Sequence, residues 1–191
     1  MPTTRERIIE ATTELFMQRG YSASGLKDIS KAGAAPIGSL YHFFPGGKEE
    51  LAAETLRSSG AAYQALVEAV FDDASDMVEG VRACFEGAGE TLRATDFADA
   101  CPIATVALEV ASTNETLREV TAHIFNAWID SAADRLERSG IERAAARDLA
   151  MVLVAALEGG FVLSRAFKDT APMHAIGEAL VHLLEVSTPV Q

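Results

Sequence analysis

Apolar residues recur along almost the whole chain at intervals of three or four, the period of a helix that buries one face. No stretch alternates with the period of two that a half-buried strand requires. The first helical stretch opens at Thr3, whose hydroxyl can accept the Glu6 amide while the Glu6 carboxylate reaches back, a capping box. Ile8, Ala11, Leu15 and Phe16 then share a face, and Gly20 ends the helix. Leu26 and Ile29 mark a second, short helix that Ser24 can cap. Gly33 and Ala34 form a tight turn, and Pro36 suits the first position of a third helix because its missing N–H would be unpaired there. Leu40 and Phe44 bury against the earlier helices, which turns Ile37, Ser39, Tyr41 and His42 outward in part.

After a Pro-Gly-Gly break, a fourth helix starts at Gly47 or Lys48 and runs to about Val70, with Leu51, Leu56, Tyr63, Leu66 and Val70 as its apolar positions. Ser58-Ser59-Gly60 in its middle is either a bend or a tolerated exposed glycine. Met77, Val81, Cys84 and Phe85 define the next helix; Ile103, Val106, Leu108 and Val110 follow Pro102. Leu117, Val120, Ile124, Trp128, Ile129 and Leu136 lie on a long helix that ends before Gly140. From Arg143 to Phe167 the pattern is apolar nearly all round, so that helix must be covered on more than one side. Asp169 or Thr170 with Pro172 opens a last helix carrying Ile176, Leu180, Leu183 and Leu184. The expectation is an all-α protein of about nine helices: a three-helix, helix-turn-helix head over residues 1–47 and a larger helical body over 48–191.

Charge changes the picture, because a formal net charge of −12 at first argues against a polyanionic partner. The charges are unevenly spread. Residues 1–50 balance Arg5, Arg7, Arg19, Lys27, Lys31 and Lys48 against Glu6, Glu10, Glu14, Asp28, Glu49 and Glu50, so the rest of the chain carries the whole excess. An acidic body leaves only the head free to approach a phosphate backbone. The N-terminus is charged and leads into an amphipathic pattern, unlike a signal core. The most apolar run, Leu149 to Leu163, is interrupted by Glu158 and too short to span a bilayer, so no membrane association is expected. Cys84 and Cys101 form no metal-type pair and read as free thiols. No G-x-S-x-G, H-E-x-x-H, E-x-x-H or phosphate loop is present and the four histidines are scattered, so neither an enzyme nor a metal or cofactor site is expected.

The run D-I-S-K-A-G-A-A-P-I-G-S-L-Y-H-F-F-P-G-G-K-E-E-L resembles the DNA-binding segment of TetR-type bacterial transcriptional regulators, with Ile29, Gly38, Leu40, Tyr41 and Phe44 at that family's spacing. The F-P-G-G-K variant and C-P-I-A-T-V-A-L-E-V-A at 101–111 are similar to a narrower branch of drug-responsive repressors related to lincomycin-resistance regulators. Several positions depart from the pattern. The turn glycine usually stands where Ala34 is, Ala35 offers no capping oxygen, Pro36 and Ile37 replace Ser or Thr and then Lys or Arg, and Lys48 comes one residue late.

The resemblance implies that the second short helix enters the major groove of a double-stranded operator. Lys48 opposes the dipole of the helix it begins, a sign that a bound phosphate would reverse. Tyr41, His42 and Ser39 are further phosphate or base-edge candidates, with Lys27, Ser24 and Thr4 as lesser ones. Gly38 lets the backbone come close to the groove floor, and Ile37, following Pro36, can pack on a thymine methyl.

For the body, the resemblance implies homodimerisation through the last two helices, where Gly159-Gly160 would permit close approach, and a small-molecule effector that releases the DNA. Phe85, Cys101, Thr105, His123, Phe125, Trp128 and Phe161 are the expected lining of its cavity. Such a regulator would work in the bacterial cytoplasm, at the nucleoid. The competing readings are an enzyme and a dimer whose head has lost its affinity for DNA; activation rather than repression also fits the first reading.

Overall fold

The computed structural model describes residues 1–187, so the expected end of the body at 191 lies outside the described residues. Those residues form nine helices and no strand: α1 (Thr4–Arg19), α2 (Leu26–Ala32), α3 (Ile37–Phe43), α4 (Gly47–Asp73), α5 (Met77–Ala94), α6 (Pro102–Val110), α7 (Glu115–Arg138), α8 (Arg143–Phe167) and α9 (Ala171–Ser187). Packing groups the chain into two compact units. The first holds Met1–Ala62 with Asp99–Ile124; the second holds Tyr63–Ala98 with the described residues from Phe125 onward.

In the first unit, Ile8, Ile29, Leu40, Phe44 and Leu51 are all but fully buried in one core cluster. Each contributes about 1.5–3 kcal/mol by leaving water. The capping box at Thr3 and Glu6 forms as expected, and Gly20 closes α1 at φ +75°. The caps of the next two helices fall elsewhere. Gly25, not Ser24, is the N-cap of α2, because the Ser24 hydroxyl turns inward and donates to the Gly20 carbonyl at 2.6 Å. Pro36 is the N-cap of α3 rather than its first helical residue.

The α2–α3 turn is held against α1. A Cβ on Gly33 would lie 3.1 Å from the Arg7 carbonyl oxygen and 3.4 Å from Ile8 Cα, so this glycine serves close approach. Its φ is −78°, while the left-handed residue of the turn is Ala34 at φ +45°. The Arg7 guanidinium donates to the Gly33 carbonyl at 3.3 Å and fastens the same turn from the other side.

Further along, α4 is one unbroken helix through Ser58-Ser59-Gly60. Gly60 is buried, not exposed: a Cβ there would lie 2.7 Å from Ile124 Cγ2, so the glycine makes room for α7. Leu108, expected to be apolar core, is 81% exposed on α6.

The second unit is built from α5, α8 and α9 with the C-terminal part of α7, around Phe85, Leu92, Leu136, Met173, Leu180 and Leu184. Gly160 brings α8 close to α9 of the same chain, since a Cβ there would lie 2.7 Å from the Met173 sulfur; Gly159 meets nothing within 4 Å. After α5, Asp96 and Phe97 adopt left-handed conformations, and Arg165 donates to the carbonyls of Phe97 and Ala98 at 3.2 and 2.9 Å. Burial pushes the Cys84 thiol up to about 11, so it stays protonated at neutral pH. Leu66, another expected core position, is 60% exposed.

The 25-residue α8 is long and apolar enough to cross a membrane by length and composition, contrary to the expectation of too short a run. It nevertheless buries Ala146, Ala150, Leu153, Gly160 and Ser164, and carries Arg147, Asp148, Glu158 and Arg165 along its length. Nor is it covered on all sides: Met151, Val152, Val162, Leu163 and Phe167 are 43–66% exposed.

Ala34 holds a conformation that costs an L-residue about 1–2 kcal/mol, partly offset by the smaller entropy that alanine loses on folding. Ala34→Gly is therefore expected to raise the unfolding free energy by about 0.5–1 kcal/mol in denaturant titration.

Candidate nucleic-acid interface

The inward face of α3 is fixed by Leu40 and by Phe44 just beyond the helix, at 2% and 1% exposure. Ala35 supplies no capping oxygen, but its own carbonyl accepts the Ser30 hydroxyl at 2.6 Å, which ties the end of the turn back to α2. The face that remains is open. Pro36, Ile37, Gly38, Tyr41 and His42 are exposed and Ser39 is half-buried. Gly38 is informative because a Cβ there would meet nothing within 4 Å. The fold does not need glycine at that point, and glycine costs a helix interior about 1 kcal/mol relative to alanine. Tyr41 borders a shallow crevice, with no room for a ligand, among Leu26, Leu40, Phe44, Gly47 and Leu51. The His42 ring stands edge-on to Phe43 at 5.0 Å.

Lys48 sits at the start of α4, with its ammonium 4.3 Å from the centre of the Tyr21 ring and 3.4 Å from the Ser22 carbonyl oxygen. Burial holds its pKa below the usual lysine value, while the nearby Glu109 carboxylate acts in the opposite sense. Burial likewise raises the Tyr21 phenol, helped by Glu49. Glu109 itself was not evident as a functional residue. From α6, its two carboxylate oxygens accept the Tyr21 and Ser22 amides at 2.9 and 2.7 Å. The signal available in the sequence is a single charged residue in a mostly apolar helix, P-I-A-T-V-A-L-E-V.

Arg5 and Arg7 of α1 are both engaged within the first unit. Arg5 pairs with Glu54 and lies over the Phe44 ring, and Arg7 donates to Thr4 Oγ1 at 3.4 Å besides holding Gly33. Thr4 is half-buried at the first position of α1, and Lys27 is exposed in the first turn of α2. Ser24 is fully buried with its hydroxyl engaged, so it offers no surface oxygen to a phosphate.

The expected effector lining divides between the two units. Cys101, Thr105 and His123 belong to the first. Cys101 is buried and caps α6, its sulfur accepting the Ala104 amide at 3.5 Å, and the Thr105 hydroxyl donates to the Cys101 carbonyl at 2.8 Å. His123 is exposed on α7, a surface position rather than an interior wall. In the second unit Phe85 and Phe161 belong to the core, and Phe125 meets Trp128 edge-to-face at 5.6 Å. None of the seven lines the crevice beside Tyr41.

Two family models match this chain: bacterial regulatory proteins of the tetR family over residues 8–55, and the C-terminal domain of LmrA/YxaF-like transcriptional regulators over 77–179. The uncharacterized HTH-type transcriptional regulator YxaF of Bacillus subtilis (strain 168) is 35% identical over 177 residues, 93% of each chain. The chain belongs to the TetR family of bacterial transcriptional regulators. Such regulators are not enzymes, and the residues that the family model matches hold the whole α2–α3 unit. The HTH-type transcriptional repressor DhaR of Mycobacterium sp. (strain GP1) is 27% identical, covering 88% of this chain and 86% of its own. A crystal structure of the regulatory protein TetR from Rhodobacter sphaeroides has the same fold, with a TM-score of 0.83 at 21% identity over 92% of this chain and 96% of that one.

With open space around Gly38, Gly38→Ala is expected to stabilise this TetR-family head by about 0.5–1 kcal/mol, read as a higher unfolding midpoint in urea. A lower midpoint would mean that the glycine serves the fold itself.

Proposed function

We propose that this TetR-family regulator is a ligand-responsive repressor that binds a palindromic operator as a homodimer in the bacterial cytoplasm. Residues 1–47 are its DNA-binding head, and 48–191 bind the effector and pair the chains. The observation that carries the reading is the outer face of α3, which exposes Ile37 and Tyr41 around a glycine the fold does not require. That combination suits a helix whose backbone approaches the floor of the major groove. Ile37 supplies apolar contact to a thymine methyl, so readout leans on shape and methyl contact more than on bidentate hydrogen bonds. Tyr41, His42, Ser39, Lys27 and Thr4 contribute phosphate or sugar contacts. That the relative DhaR is a transcriptional repressor supports repression over activation.

Dimerisation through α8 and α9 is supported by the exposed apolar side chains Val152, Leu163 and Phe167 of α8 and Leu183 of α9. An exposed apolar helix face of this kind suits pairing with a second copy of the chain. The effector is a small, largely apolar molecule held among the middle helices, and it releases DNA by binding the DNA-incompetent state more tightly.

The test is a salt titration of the purified protein on the intergenic DNA beside its own gene, against the same DNA with its inverted repeat scrambled. Preference for the intact repeat is the expected result; equal binding at low salt would leave a head without operator recognition. In the same titration, Lys48→Ala is expected to weaken both DNAs alike and to lower the slope of log affinity on log salt by about 0.9, the share of one phosphate contact. Leu163→Glu is expected to turn the dimer into a monomer in light scattering at micromolar concentration, with loss of operator binding.

A further inference from the structure

Beyond α3 and Lys48, one cluster of polar contacts in the first unit is not absorbed by the operator-binding reading. Gln18 donates to Asp99 at 3.1 Å, Asn114 donates to Glu49 at 2.6 Å, and between them Glu109 of α6 takes both the Tyr21 and Ser22 amides. The last is the one in which a single side chain holds two backbone groups. Both carboxylate oxygens are used on consecutive N–H groups of the α1–α2 turn, and a Cβ on Gly20 would overlap the carboxylate, 1.6 Å from Oε1. The turn thus closes around the acid. Tyr21 also carries the Lys48 ammonium on its ring, and Ser22 accepts from it, so the segment that Glu109 holds is the one on which Lys48 rests.

Resting on the operator-binding reading, we infer that Glu109 is a positioning residue for DNA recognition. It fixes the α1–α2 turn, and through that turn it sets where α2 begins and from where Lys48 reaches a phosphate. Two effects of opposite sign separate this role from simple electrostatics. Glu109 is an anion in a chain of formal net charge −12, so removing it should by charge alone tighten binding to any DNA. Loss of positioning should weaken binding, and weaken it most on the intact operator.

The experiment compares full-length wild type, Glu109→Ala, Glu109→Gln and the exposed-surface control Glu90→Gln on operator and scrambled DNA across salt. Amide hydrogen exchange is followed at Tyr21 and Ser22. Expected is a fall in the operator-to-scrambled affinity ratio on the order of tenfold for Glu109→Ala, the worth of one or two charge-assisted hydrogen bonds. Glu109→Gln, whose amide oxygen still accepts one N–H, should fall between alanine and wild type. The salt slope should fall toward that of Lys48→Ala while the Tyr21 and Ser22 amides exchange faster, and Glu90→Gln should keep the wild-type ratio and slope. Tighter operator binding by Glu109→Ala, an unchanged ratio, or a loss matched only by the fraction of unfolded protein would overturn the inference. A wild type without operator preference overturns the DNA-binding reading itself; a wild-type preference that survives Glu109→Ala overturns the positioning role alone.

Discussion

The backbone of the α2–α3 turn lies directly on α1, with no side chain between them. A Cβ on Gly33 would come within 3.1 Å of the Arg7 carbonyl oxygen, tighter than nearly all ordinary contacts. That approach draws the two short helices into one core with Ile8, Leu40 and Phe44. It also spends the turn's glycine on proximity, so the left-handed step falls to Ala34. Helices of seven residues are marginal in isolation, and here their stability is tertiary. The orientation of the exposed face of α3 is therefore inherited from α1 and from the Arg7 guanidinium that holds the Gly33 carbonyl.

Much of this was legible in the sequence, because helix periodicity is a local signal. The limits of α8 and the capping box of α1 stand where the pattern put them. So do the inward Leu40 and Phe44 and the outward Ile37, Tyr41 and His42. What the pattern could not give was contact between distant segments. Gly60 reads locally as a weak point in α4, yet it is the place where Ile124 fits. Ser24 has the chemistry of a cap, but its hydroxyl finds the Gly20 carbonyl first. Leu66 and Leu108 obey the apolar period and are nonetheless exposed, since periodicity marks a face without saying whether anything lies against it. Glu109 was missed for the complementary reason: its partners are two backbone amides, which leave no trace in side-chain composition.

The apolar character of α8 answers two demands. One face supplies small residues, Ala146, Ala150 and Gly160, to the core of its own unit. The other presents Val152, Leu163 and Phe167 outward. The double glycine expected to bring two chains together is itself shared between these demands, since Gly160 is already filled by Met173 and only Gly159 stands open. The all-round apolar pattern of α8 therefore does not mean burial on every side: one face is core, and the other is exposed among the described residues.

Gly20 and Glu109 occupy one volume. A side chain at position 20 is barred twice, by its left-handed backbone and by the carboxylate lying where the Cβ would go. Drift at either site is thus conditional on the other. Shortening the acid at 109 would free the space but leave the backbone bar, so alanine at 20 stays strained, whereas filling position 20 beside the intact acid must displace it as well.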